Sequence, residues 1–504
     1  MPVADGSAAR VPRPRLDVPV GPDSVDVLVV GAGPAGLVAG ITLAGYGIDV
    51  LVVEKRSAIS SLSRALVIST RSMEILRGWG LEEQVRAGAA DVEPRCWVTP
   101  SLASGEGQEM PLGYPSDAEA AAVSPSRPAW APQDHLEPLL LARLQTAPSA
   151  RVRMGSELID LVQDGDRMST LLRDAATGRT ARVAARFVLA GDGAHSTVRS
   201  RLGISLVGSD DLAEYHRVEF EASLGTVGAT RRYGLYVITA PGATGVLAPR
   251  GRGDRWALAR EWTPGQPRLV DMPPDELVAL LRAATGIPGL SPQIERLVAF
   301  HFAAQIVDHY RDGRVFFLGD AAHRMTPRGG TGMNTAIQDA FDIGWKLAWV
   351  LRGWADPDLL DSYERERRPI GLHNVQRAGG PDGARREAAE ALPYDLAGRL
   401  DHCWLRRGDR SVSTLDLLGD GLTLLAGPDE HRWATSPPAL PFRAPLRVEP
   451  VVRSTAAALR IPPRGGLLLR PDGKRVGSWP AFTERLETAD PTPVGPRASD
   501  GAGR

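Results

Sequence analysis

Residues 25–54 read VDVLVVGAGPAGLVAGITLAGYGIDVLVVE, and the order of pieces within them decides the fold. Val25–Val30 is a short apolar run suited to a buried parallel strand. Gly31-Ala-Gly33-Pro-Ala35-Gly36 follows, then a helix-like stretch through Leu43. In such a turn Gly31 permits the tight reversal, Gly33 lets backbone approach a pyrophosphate, and Gly36 lets helix and strand pack closely. A second apolar run, 48–53, ends at Glu54, eighteen residues after Gly36, where a ribose-binding acid belongs. Glycines alone also make ordinary turns. The complete succession of strand, glycine turn, helix, strand and acid reads as a dinucleotide grip. Glu54 favours free ribose hydroxyls, as in FAD or NAD, over a 2′-phosphate. Lys55 and Arg56 beside it are read as solvated or stacked near the adenine.

Two later segments belong to the same binding problem. Phe187 to Arg199 is a strand running into an Asp192-Gly193 turn. Its plain reading is a turn capped by Asp192, with Ser196 as a helix N-cap; its place between the other two segments adds a nucleotide-binding reading. The third segment, 319–348, is GDAAHRMTPRGGTGMNTAIQDAFDIGWKLA. An apolar strand (Val315, Phe316, Phe317, Leu318) ends in Gly319-Asp320, where a small residue lets a carboxylate turn toward a bound hydroxyl. A loop with Pro327, Gly329, Gly330 and Gly332 offers bare backbone. A helix is predicted to begin near Asn334, and its free N–H groups favour partial negative charge. Together the segments predict a long dinucleotide cofactor with a redox ring at one end.

Composition sets the bounds. A chain of 504 residues is too long for one ordinary core, so two or three domains are expected. A net charge of −1 argues against a general nucleic-acid-binding or acidic-membrane-binding protein. The basic residues are nearly all Arg, Lys occurring only at 55, 346 and 474. Cys96 and Cys403 give neither a metal-ligand spacing nor a disulfide framework, so no metal is expected and a reducing compartment is. Residues 1–24 lack an apolar signal region and read as a flexible arm. No apolar run is long enough to span a bilayer, which points to a cytoplasmic protein. The tail, 489–504, reads as disordered.

In this order and spacing the three segments resemble the FAD-dependent class A aromatic hydroxylases, single-component flavoprotein monooxygenases of the para-hydroxybenzoate hydroxylase type. The likeness covers roughly residues 25–375. It implies that Gly31, Gly33, Ala35, Gly36 and Glu54, with Lys55 beside them, hold the adenosine half of FAD. It assigns Asp192, Gly193, Ser196 and Arg199 to FAD and NAD(P)H binding, and Gly319 and Asp320 to the ribityl-phosphate region. Pro327, Gly332, Met333 and Asn334 match the loop beside the isoalloxazine, Arg64 a basic flavin contact, and Gln133 a ribityl-contacting glutamine. The implied chemistry is the cofactor's: NAD(P)H reduces the flavin, O2 adds at C4a, and the hydroperoxide hydroxylates a bound phenolic or polycyclic, polyketide-like substrate. Baeyer–Villiger insertion, epoxidation, and a non-redox ring closure by an FAD-bound cyclase are the alternatives left open.

Arg328, next to Pro327, departs from the family pattern. Two readings stand: it attracts an acidic or phenolate substrate or assists the flavin, or it points to solvent or a structural carboxylate. His195 and His323 fit either as general bases or, the favoured reading, as motif-packing residues hydrogen-bonded to backbone.

Between 205 and 300 the apolar pattern alternates with a period near two, predicting an antiparallel sheet that covers the ligand. Tyr233, Tyr236 and Trp256 are candidate pocket-lining residues there, ordinary sheet packing being the competing reading. A helix over 340–372 is expected to break at Pro357 and stop at Pro369. Residues beyond the Gly-rich stretch 378–383 resemble the thioredoxin-like extension of the larger hydroxylases, without a CxxC. The expected architecture is α/β: a Rossmann-like FAD-binding domain (25–95, 130–204, 301–375), an antiparallel substrate domain (96–129, 205–300) and a small thioredoxin-like domain (384–488), assembled as monomer or homodimer.

Overall fold

The structure is a computed structural model, and it describes residues 24–224, 232–380, 382–434, 436, 438 and 440–479. The expected arm, apart from Ser24, and the expected tail lie outside the described residues.

The first sheet is built on a parallel core. Ser24–Val30 pairs in parallel with Val50–Glu54 on one side and Thr180–Ala190 on the other. Ala150–Met154 and Val315–Phe317 extend it, also in parallel. Burial of both faces explains why Val27–Val30, Val50–Val53 and Val315–Phe317 are runs of Val, Leu and Phe rather than alternating patterns, whereas the edge strand Ala150–Met154 carries Arg151 and Arg153. The helix Pro34–Gly45 returns over this sheet, and Ala35 through Ala44 are all buried on it. All-round burial follows from a position between the sheet and two further helices, Gln133–Gln145 and Gly332–Leu351. The antiparallel hairpin Ser156–Asp164 and Arg167–Asp174 is carried by Thr180–Ala190.

The second sheet, eight-stranded among the described residues, runs His323–Arg324, Gln293–Val307, Leu206–Glu221, Arg255–Trp262, Gly245–Pro249, Tyr233–Ile238, Glu93–Thr99 and Gln108–Pro111. Its pairs are antiparallel except Tyr233–Ile238 with Glu93–Thr99, which are parallel. Residues 90–130 thus supply two strands at one edge, as well as the capped helix Asp117–Val123. The helix Pro274–Thr285 covers one face through Leu277, Leu280 and Leu281.

Residues 422–479 form a four-stranded sheet ordered Leu446–Pro450, Leu422–Ala426, Gly466–Leu469, Arg475–Trp479, with one parallel and two antiparallel pairings. Its two faces divide by strand alternation. Leu422, Leu424 and Leu468 join the main core, while Leu425, Leu467 and Leu469 pack a smaller one with Leu417, Val451 and Ile461. Trp349 Nε1 and the Tyr46 hydroxyl both donate to the Asp420 carbonyl, at 2.9 and 3.0 Å, fastening this sheet to the central helices.

One helix boundary needs correction. The long helix ends at Leu351 and Pro357 opens a short 3-10 turn as expected, but the next helix, Asp361–Gly379, runs straight through Pro369. A proline inside a helix costs about 3 kcal/mol. Burial of Tyr363, Ile370, Val375 and Ala378 along the same helix outweighs that cost.

Candidate active site

Gly31 and Gly36 sit where only a glycine fits. Gly31 has φ +99°, and a Cβ there would lie 2.3 Å from the Gly191 carbonyl oxygen. A Cβ on Gly36 would lie 1.9 Å from the Gly31 carbonyl oxygen, so helix and strand touch backbone to backbone. A Cβ on Gly33 would meet nothing within 4 Å. That open space lies before the first turn of Pro34–Gly45, whose N-cap, Gly33, makes no side-chain cap bond. Its N–H groups are therefore free for a phosphate. Glu54 is buried at the end of its strand, held by the N–H groups of Ala32 (3.0 Å) and Arg56 (3.0 Å). Two backbone donors orient the carboxylate and leave lone pairs for a diol. Lys55 and Arg64 are exposed near this end.

The second segment is tied to the first and third. Gly191 N–H donates to the Val30 carbonyl at 2.9 Å. Asp192 accepts from the Ser196 hydroxyl (2.6 Å) and from Val198 N–H (3.1 Å), while Ser196, the N-cap of the helix Thr197–Leu202, accepts from Arg199 N–H (3.0 Å); burial pushes the Asp192 carboxyl up. Gly193, at φ +83°, completes that turn. Arg199 donates to the Ala194 and Ala321 carbonyls, at 2.7 and 3.1 Å, which ties the Asp-Gly turn to the Gly-Asp turn. His195 is exposed.

Gly319 sits where two helices begin. At φ +54°, its added Cβ would meet Ala336 Cβ at 3.0 Å and Ala35 Cβ at 3.3 Å, so the helices Pro34–Gly45 and Gly332–Leu351 both approach it near their starts. Asp320 is exposed beside Gly319. Gly332 opens its helix with no side-chain cap at Thr331, and Met333 is half-buried there. This is two residues earlier than the predicted start. Asn334 is buried and structural in its contacts: it accepts from Ser69 N–H and donates to the Val67 and Gly330 carbonyls. Gln133 starts its own helix and donates to Glu137 at 2.6 Å.

The loop 327–331 is held by a residue the sequence did not single out. The Tyr114 hydroxyl lies 3.1 and 3.0 Å from the Gly329 and Gly330 carbonyls. Burial pushes its pKa up, keeping it a neutral donor. Pro327 is exposed; Arg328 is half-buried, donates to the Gly380 carbonyl at 3.2 Å, and lies 5.6 Å from the Phe302 ring centroid. His323 is fully buried, with Nε2 2.8 Å from Asp339, whose carboxylate also takes Arg367 at 2.6 Å. It is a packing residue, as favoured, although its partner is a carboxylate rather than backbone.

Tyr233, Tyr236 and Trp256 do not reach this loop. They pack with Leu277 and Leu281 on the helix-covered face of the second sheet, and Tyr233 stacks on Trp97 at 5.2 Å. The register against Glu93–Thr99 shifts between Tyr233 and Leu235, the extra residue falling between Glu93 and Cys96. Leu235 and Val237 pack in a separate cluster, with Val67 and Tyr114. The expectation that the tyrosines and Trp256 line a substrate pocket is therefore replaced by sheet packing.

A narrow cleft of about 40 Å3, room for a small polar group, borders the loop between Tyr114, Gly329, Asn334, His373, Arg377 and Tyr394. The His373 imidazole stacks on Tyr394 at 3.5 Å. Burial, with Arg386 and Arg377 nearby, pushes His373 down to about 4, so it is neutral at pH 7.

Residues 24–378 match the family described as FAD binding domain. The chain belongs to that family. It is 31% identical to a tetracenomycin A2 monooxygenase-dioxygenase of Streptomyces glaucescens, with 90% of this chain and 92% of the relative covered. Among solved structures it is similar to the flavin-dependent monooxygenase PieE in complex with FAD and substrate, at TM-score 0.82 and 27% identity, covering 91% of this chain and 96% of that one. It is also similar to aklavinone-11 hydroxylase in a ternary complex with FAD and aklavinone, at TM-score 0.79 and 29% identity, covering 91% and 96%. The residues present suit such a cofactor: open space lies at Gly33, two backbone N–H groups orient the Glu54 carboxylate, and Asp320 is exposed beside Gly319. No helix of the described residues is long and apolar enough to cross a membrane.

Proposed function

We propose that the protein is an NAD(P)H- and O2-consuming monooxygenase that hydroxylates a phenolic or polycyclic, polyketide-like compound. One observation carries the reading: two helices with no side-chain cap at their N-termini approach each other at Gly319 through Ala35 and Ala336, so one start suits a pyrophosphate and the other the electron-accepting edge of a flavin. FAD supplies the redox and oxygen chemistry when bound. The chain's own part is to hold the cofactor, place partial positive charge at the Gly332 helix start, and keep the reacting region dry. The Gly31–Gly36 turn and Glu54 anchor one end; the loop 327–334, pinned by Tyr114 and Asn334, frames the other. The relatives named monooxygenases and hydroxylases run along nearly the whole chain, which supports oxygenation over a structural role for FAD. NAD(P)H, O2, and the cytoplasmic setting belong to this proposal.

Anaerobic stopped-flow tests it. Purified holoenzyme is mixed with NADH or NADPH across a panel of phenols and polyketide intermediates while flavin absorbance is followed. Bleaching accelerated by one compound, and a product one oxygen heavier once air is admitted, is the expected result. A flavin that stays oxidised while a compound is nevertheless converted would overturn the reading.

A further inference from the structure

Arg377 is a buried cation with an unanswered donor. Its side chain projects from the helix Asp361–Gly379 and the residue is 8% exposed. Nε donates to the Gly383 carbonyl at 2.9 Å, but Nη2 is buried without a hydrogen-bond partner. That nitrogen lies beside bare backbone, since an added Cβ would approach it to 3.0 Å on Gly113 and to 2.9 Å on Gly329. Arg377 is among the residues lining the narrow cleft that Gly113, Gly329 and Thr331 also border.

The groups around it do not neutralise it. Asp395 lines the same cleft, yet its oxygens are taken by the Ser69 hydroxyl (2.6 Å), Gln338 Nε2 (2.9 Å) and Arg71 N–H (3.1 Å). Tyr114 is a neutral donor engaged with Gly329 and Gly330, Asn374 donates to Thr335 at 3.0 Å, and Glu390 is exposed. Arg386 adds a second positive charge near His373 and Arg377. An orphaned guanidinium donor in a cleft is costly unless a ligand answers it. An oxyanion does so with a charge-assisted bond.

We propose that Arg377 binds an anionic group of the substrate, a carboxylate or an ionised acidic phenol on the aromatic system, and so selects for acidic aromatic substrates. This rests on the hydroxylase reading for the aromatic part of the ligand, whereas the charge preference stands on the cleft itself. A neutral aromatic of the same shape leaves Nη2 unpaired and is discriminated against.

Two isosteric probes test it, 1-hydroxy-2-naphthoate and 1-hydroxy-2-naphthamide, titrated into FAD-loaded protein while the flavin spectrum is read. The naphthoate is expected to bind about tenfold tighter or better. Arg377→Gln is expected to bring the two probes level, and Arg377→Lys to keep part of the preference, each at unchanged FAD content. Should Arg377→Gln fail to load FAD, Arg377→Lys decides: its preference must fall below that of the wild type. Equal binding of both probes by the wild type, no binding of either at millimolar concentration, or a preference that survives the substitutions would overturn the assignment. Because the readout is binding alone, absence of oxygen-dependent turnover would count against the hydroxylase reading and leave this result standing.

Discussion

The side-chain oxygen of Asn334 accepts the Ser69 N–H at 2.8 Å across a sequence separation of 265 residues. Its amide nitrogen donates to the Val67 and Gly330 carbonyls at 3.1 and 3.0 Å. One buried amide therefore joins the segment after Arg64, the loop beside the reacting end, and the first turn of Gly332–Leu351. Asn334→Ala strands the Ser69 N–H and the Val67 carbonyl inside the protein. The expected loss is about 3 kcal/mol of stability, together with faster release of FAD. Urea unfolding of holoenzyme and the rate of flavin loss on dilution check both. A variant as stable and as tightly loaded as the wild type would show that the amide is dispensable.

Gly33 and Gly36 predict opposite failures. Gly33 has φ −76°, open to any residue, and its added Cβ meets no protein atom within 4 Å. Gly33→Ala should fold with apo stability within about 1 kcal/mol of the wild type and bind FAD about tenfold or more weakly, because the methyl fills the space a pyrophosphate needs. Gly36→Ala places its methyl 1.9 Å from the Gly31 carbonyl oxygen, so the turn itself must move. That variant should lose folded yield and FAD together. Apoprotein melting paired with flavin titration separates the two, and identical behaviour would contradict the geometry.

This contrast shows what the chain makes legible. Gly36 and Glu54 answer to partners within thirty residues, the Gly31 carbonyl and the Ala32 N–H, so reading along the chain recovers them. Gly31 and Gly319 are met from far along the chain, by Gly191 and Ala35, and only their place in a recognisable motif makes them legible. Tyr233, Tyr236 and Trp256 left pocket lining and sheet packing open, because only the long-range packing of the helix Pro274–Thr285 decides which face they join. Helix continuity through Pro369 depends on packing that arrives from elsewhere. Tyr114 and Arg377 carried no local signal; each gains meaning only when the loop at 329 folds against them. The cofactor half is written in short motifs, and the substrate half in long-range contacts.

Lys346 is fully buried on the central helix, 2.6 Å from Asp342 and 3.5 Å from Glu366. Arg470 and Lys474 reach the same Glu366 at 2.7 Å each, and Arg470 also pairs with Asp472 at 2.5 Å. The carboxylates of Asp342, Glu366 and Asp472 are close enough to one another to suggest a metal site. Lys346, Arg470 and Lys474 balance them charge for charge. Removing one member of such a buried set costs about 3–5 kcal/mol because its partner is left unpaired. Lys346→Met should lose stability on that scale, and Lys346→Met with Asp342→Leu should regain much of it. A double-mutant cycle in urea gives the coupling directly; additive losses would mean that the two charges do not depend on each other.

The same cluster sets an acid limit on the fold. Burial pushes the Asp472 carboxyl up, but Arg470, through charge and hydrogen bonds and with Lys474 behind it, outweighs burial and holds the pKa at about 2. A carboxyl depressed in the folded state contributes stability that is fully present above its unfolded pKa and is lost as pH falls through the folded value. Against an unfolded value near 3.8, the contribution is on the order of 2 kcal/mol. Asp472→Asn should therefore be less stable than the wild type by that amount at pH 7. The gap should stay flat down to about pH 4 and shrink only below it, as the wild-type carboxylate is protonated and Arg470 keeps only Glu366 as a charged partner. Urea unfolding of both proteins at stepped pH reads the difference. A gap that closes between pH 8 and pH 6 would trace the effect to some other titrating group and remove Asp472 from the account.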